Sequence, residues 1–347
     1  MASRITNWIA AGLECALLAA LLPGLIGAQT TMGGQIEQQI NARRRLFPEI
    51  GGGLQGTKSG PDGQIFVLLP QRIIVYDAKG RKLREVPVPL PPAQAKKAAP
   101  VLVYADDFDV DAAGRIYVAD RGANALRIFS PEGELQLSVP VDAPTGVRVL
   151  AGGEIAVASV ANANLIAVYD TQGKVQRQFG DLTDLAETPA LNRFLNGGRL
   201  AADTASNIYY AFTFAPEPTF RKYDRFGYAA FENSVKTMEF LGAAEAARKR
   251  IAKREDGVTV ALLPDITAMG VDPELQTVWI AVGDLLLLFD KDGNLHSEFR
   301  LYTPEDARLE INSILVEPEK LIVTSDPLGI YEFARPDKTA KPEKATK

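Results

Sequence analysis

The sequence predicts an all-β protein built from repeated units, and three observations carry that prediction. First, a short phrase recurs six times: an apolar run ending on an aromatic residue, then a turn whose last residue, four positions on, is Gly. The aromatic and closing residues are Tyr76 and Gly80, Phe129 and Gly133, Tyr169 and Gly173, Tyr223 and Gly227, Phe289 and Gly293 and, with Asp in place of Gly, Phe333 and Asp337. The copies lie about 40 to 65 residues apart, which is the self-similarity of a repeat array. Second, each copy is preceded by a segment rich in β-branched and aromatic residues, at 64–68, 115–120, 154–159, 207–212, 277–282 and 320–325; this is the composition of a half-buried strand. Third, helical patterns are few, and the 29 Gly and 22 Pro are spread as turn punctuation.

Four units carry a further apolar segment upstream, at 108–111, 146–149, 269–272 and 314–317, and four carry a strand after the turn, at 82–88, 134–139, 174–179 and 295–301. Each unit therefore counts three or four strands joined by tight turns. Four-stranded antiparallel units repeated about an axis are propeller blades, so the expected fold is a six-bladed β-propeller of four-stranded antiparallel blades.

The second unit is the clearest copy. It reads Phe108-Asp109-Val110-Asp111, a turn ending at Gly114, then Ile116-Tyr117-Val118-Ala119-Asp120, Asn124 and Leu126-Arg127-Ile128-Phe129. This closely resembles the NHL repeat, with less identity in the third and fifth units and only periodicity in the others. The resemblance implies an NHL-like six-bladed propeller over residues 48–336. The chain departs from the family in lacking the usual Asp and Asn after most second strands, residues whose expected role is to bond neighbouring loops.

A closed propeller accommodates this length as one domain, because every blade buries its sheet faces against two neighbours. Ahead of it, Arg4 provides a small positive region, residues 8–26 are mostly apolar apart from Glu14, and Ile26-Gly27-Ala28 ends in small residues. That pattern predicts a cleaved signal peptide over 1–28 and a periplasmic or secreted protein, with no membrane attachment after cleavage. Cys15 lacks the small preceding residue of a lipid-modified Cys, and it is the only Cys. The mature chain then has no thiol for a disulfide or a Cys-type zinc site. Residues 29–47 form an N-terminal segment with a short helix expected at 36–46; that stretch or its sequel is placed to add an outer strand to the last blade and close the ring.

Formal charge is −5. The tail 335–347 carries five basic and two acidic residues, and reads as a disordered extension, 337–347 in the domain division. The body without it is more acidic still, which excludes nucleic acid as a partner because no basic stripe is available for phosphates. A monomer is expected.

The units differ in length where one blade leads to the next, at 87–106, 180–197, 231–265 and 302–312. In a propeller these connections emerge on one face, opposite a face of tight turns. Binding residues concentrate on loops held by a rigid scaffold, so the long-loop face is the expected site for a protein, peptide or small-molecule ligand. The candidate contacts are Tyr104, Asp106, Arg121, Asn196, Phe214 and Asn312. The longest connection holds the one convincing helix, at 238–254 within an insertion at about 236–256: Phe240, Leu241, Ala244, Ala247 and Ile251 share a face, and basic residues crowd its end, where they complement the helix dipole. The same helix could lie on a membrane surface, although its Ala-rich face suits lipid poorly.

Catalytic groups are sparse. His296 is the only His, on an outer strand, and no Ser-His-Asp or Cys-His pairing can be built. The catalytic alternative to a non-catalytic binding or scaffold module without cofactor is a calcium-dependent hydrolase or lactonase of the kind found among six-bladed relatives. Its oxygen ligands would be Asp106, Asp107, Asn196, Asp265 and Asn312 at the starts of the inner strands. The run 290–294 imitates a calcium loop, but its Gly falls too early, and a hairpin turn is expected there.

Overall fold

The computed structural model describes residues 29–30, 36–89 and 100–339. The expected signal peptide lies outside them, as do residues 90–99 of the first long connection and 340–347 of the tail.

Six sheets follow each other around a ring, each built on a four-stranded antiparallel blade of consecutive strands, or of three and an N-terminal one; the fifth sheet is extended to six strands by N-terminal residues. The protein is a six-bladed β-propeller. The inner strands are Gly56–Ser59, Ala105–Val110, Pro144–Val149, Gly198–Ala202, Ile266–Val271 and Ser313–Val316. The second strands are the most apolar: every residue of Ile65–Leu69, Ile116–Asp120 and Ile208–Phe212 is buried. Blades cover both sheet faces, so these strands read as continuous apolar runs rather than alternating ones. The core accordingly lies between blades; Trp279, Phe299, Leu321 and Tyr331, for example, join blades five and six.

The ring is closed by the N-terminal segment. Arg44–Leu46 pairs antiparallel with Gly329–Ala334 as the outer strand of blade six, and Arg44 Nη2 donates to Glu332 Oε2 at 2.9 Å. Phe47 then stacks on Tyr76 of blade one with centroids 3.9 Å apart. The expected closure stands, but the expected helix over 36–46 does not. Ile36–Asn41 is a strand running parallel to Leu295–Tyr302, the eight-residue outer strand of blade five. Ile36 and Ile40 have helical spacing, yet the exposed edge of that long strand offers a row of backbone partners, and this tertiary pairing overrides the local pattern. Ile40 packs against the core between blades five and six.

On the tight-turn face one device recurs. Asp77, Asp111, Asp170, Asp224 and Asp290 each accept, through Oδ1, the backbone N–H groups two and four residues ahead. These are side-chain-capped turns, and the run 290–294 is such a hairpin turn as expected.

The long connection contains the expected helix, Met238–Glu255, which buries Phe240, Ala244, Ala247 and Ile251. Leu241, expected on that face, is exposed instead. A second helix, Pro189–Leu195, starts on a Pro whose fixed φ suits the first helical turn. Arg335, expected in the disordered tail, is buried and bonded to Asp272 and Asp337. The disorder expected from 335, or from 337, is therefore corrected for 335–339: the guanidinium supplies the charge partner of a buried Asp272, and Pro336–Thr339 is a helical turn.

Candidate functional site

The inner strands enclose a channel with two unequal ends. At the long-loop end, Gln55, Thr57, Asp106, Asp107, Arg199, Asn312 and their neighbours leave a cavity of only about 40 Å³. Lys58, Arg148, Met269 and Ile314 line this cavity and also the wider chamber beneath it, so they form the waist. The chamber, of about 500 Å³, opens on the tight-turn face.

Three of the six predicted contact residues meet at the long-loop rim. Arg121 Nε pairs with Asp106 Oδ2 at 2.6 Å, and its guanidinium lies over the Tyr104 ring, 5.4 Å from the centroid. Burial holds the Asp106 carboxyl above the ordinary carboxylate range against the pull of Arg121 and Arg199. The cluster depends on Asp120, at the end of the second strand of blade two. Its carboxylate accepts the N–H groups of Val103, Tyr104 and Ala123 and the Nε of Arg127. Asn124 Oδ1 accepts the N–H of Ala143 from the next connection. The loop-bonding role expected of this Asp and Asn is thus what they perform. Gly122 is required by the same packing, since a Cβ there would sit 2.7 Å from the Tyr104 nitrogen.

The other predicted residues are taken up by contacts of their own. Asn196 is buried in its own loop, where it accepts from the Thr183 N–H and donates to the carbonyls of Thr183 and Asn192. Phe214 stacks on Phe194, centroids 4.9 Å apart. Asn312 lines the channel mouth, but its Oδ1 accepts the Asp326 N–H at 2.6 Å. Asp107 is bound by Arg148 at 2.5 Å. Asp265 stands near Arg250 and Glu217; burial pushes its carboxyl up to about 7, and Oδ2 has no partner. Three of the five proposed calcium ligands, Asp106, Asp107 and Asn312, line the one mouth cavity, whereas Asn196 and Asp265 are not in its lining, and among the described residues no group of three or more His, Cys, Asp or Glu is placed to hold a metal ion. The physical reason is that Asn196 and Asn312 act as loop caps, while arginines occupy Asp106 and Asp107. His296 is exposed on an outer strand beside Ser297, as expected.

A second feature of the long-loop face was not predicted. Between the helix Pro189–Leu195 and the segment after the long helix runs a groove of about 570 Å³ lined by Leu191, Phe194, Arg254, Val258, Val260 and Leu262, among others. Phe194, Met238, Leu241, Val258 and Leu263 are exposed on this face. Thr188 ties the two walls together by bonding Glu255 through its N–H and hydroxyl. The sequence signal was present in Pro189 at a helix start and in the apolar run around 258–263, but only the fold brings the two connections together.

Comparison with solved structures gives the same architecture. A streptogramin B lyase structure matches with a TM-score of 0.53 at 16% identity, over 82% of this chain and 84% of the lyase. The hydrazine synthase of Kuenenia stuttgartiensis matches with a TM-score of 0.53 at 13% identity, over 82% of this chain and 96% of that one. These likenesses show the fold alone. No family model matches the chain, and no curated protein does.

Proposed function

We propose that this propeller is a non-catalytic binding module that takes a segment of another protein into the groove on its long-loop face. The observation that carries the reading is the groove itself: a cleft of about 570 Å³ with apolar walls on two otherwise unrelated connections, and Arg254 in its lining. A cleft of this size with few polar groups is the usual form of a ligand site. The exposed Phe194 is a large, stiff anchor of the kind that dominates interface energetics. Arg254 and Lys253 have no ionic partner among the described residues, so the matching segment carries an apolar side chain followed by a carboxylate, either acidic or C-terminal. The blade-two pattern supports a place among NHL-type propellers, and the apolar amino terminus supports export. A calcium-dependent hydrolase gains no donor set from a mouth whose acids are held by Arg121 and Arg148.

Selection from a displayed library of random peptides tests this. The expected result is enrichment of apolar residues followed by Asp, Glu or a free carboxylate, abolished by Phe194→Asp and weakened by Arg254→Glu. Absence of enrichment, or enrichment that both variants retain, would refute it.

A further inference from the structure

A different group stands out at the waist of the channel. Lys58, on the inner strand of blade one, lines both the mouth cavity and the chamber on the tight-turn face. Its side chain has no hydrogen-bond or ion-pair partner among the described residues. The acids around it are already engaged. Asp107 is held by Arg148 and the Val147 N–H, and Asp109 accepts the Val149 N–H at 2.8 Å. Glu317 is bonded to Ser59 and paired with Lys320, and Asp203 caps its own turn. Val110, Val149, Met269, Val271, Ile314 and Val316 supply apolar wall between these charged groups and Arg148.

We propose that the chamber receives a small aldehyde or ketone and holds it as an imine on Lys58. Lysines become nucleophiles when desolvated or set beside another cation. Lys58 is partly exposed to the chamber, and burial, then the Arg148 charge, lower its amine to about 8, with Asp107 and Asp109 opposing. In the step, the neutral amine adds to the carbonyl carbon and forms the C–N bond. The C–O bond then breaks, and the oxygen leaves as water with the two amine hydrogens, giving C=N. No oxidant or reductant is consumed. A chamber of about 500 Å³ with a mixed apolar and charged wall limits the carbonyl compound to a small body. This site is independent of the loop-face groove.

The test is reductive labelling of the full chain with butanal and cyanoborohydride, read by peptide mapping across a pH series. At pH 8 an ordinary lysine, with a pKa near 10.4, is almost wholly protonated, so Lys58 is expected to be labelled about tenfold or more faster than exposed Lys79 and Lys174. Its rate should rise with a midpoint near 8, whereas theirs should keep rising. An anthracene aldehyde, too wide for the chamber, should lose that preference. Labelling of Lys58 no faster than Lys79, or a pH profile matching the exposed lysines, would overturn the proposal; so would an undiminished preference for the wide aldehyde.

Discussion

The Asp120 carboxylate, wholly buried, accepts the backbone N–H of Tyr104 at 2.9 Å. Through this contact a strand end inside blade two fixes the rim loop that carries Tyr104, which lies under Arg121. Asp120→Ala removes an acceptor from three backbone N–H groups and leaves Arg127 unpaired. The expected loss is about 3–5 kcal/mol. Asp120→Asn keeps the shape and one acceptor and should lose clearly less. Urea unfolding measures both, and equal losses would show that the charge, not the loop bonding, matters.

Arg335 performs the corresponding task between blades five and six. It is 1% exposed, bonds Asp272 and Asp337, and lies over the Trp279 ring. Arg335→Ala strands Asp272, itself 4% exposed, without its cation. The cost is expected to be about 3–5 kcal/mol at neutral pH. The double change Arg335→Met with Asp272→Asn should recover part of it, because no buried charge is then left alone. Equal instability of the single and double variants in thermal melts would contradict this.

Asp265 makes stability depend on pH. Its folded value, about 7, lies above the ordinary 3.8, chiefly through burial. Ionisation therefore costs more in the folded state. The contribution of this group is fully favourable below 3.8 and is lost as the pH rises through about 7. Asp265→Asn, which does not ionise, should equal the wild type near pH 4 and exceed it by about 1 kcal/mol or more at pH 8. A gap between the two proteins that does not change with pH would rule this out.

The repeat phrase made the third strand and its turn legible in every blade, because Tyr76, Phe129, Tyr169, Tyr223 and Phe289 are all buried where the next blade covers them. The inner strands of blades one and four were not legible. Gly56–Ser59 has no large apolar residue, since it faces the channel with Thr57 and Lys58, and Gly198–Ala202 is largely small. The parallel strand Ile36–Asn41 was hidden because its partner is some 260 residues away and its own spacing is helical. At the site, Tyr104, Asp106 and Arg121 could be found from loop position alone. Asn196 and Asn312 could not be told from contacts, as the same amide that binds a ligand also caps a loop. Lys58 escaped notice because desolvation is a property of the closed ring rather than of its neighbours in sequence.

Hydrogen exchange of the whole chain, with and without a peptide from the library selection, tests the binding face most directly. Protection should appear at the helix Pro189–Leu195 and over 254–263, with the tight-turn segments 111–115 and 203–207 unchanged. Protection confined to those turns, with none along the groove, would contradict the account.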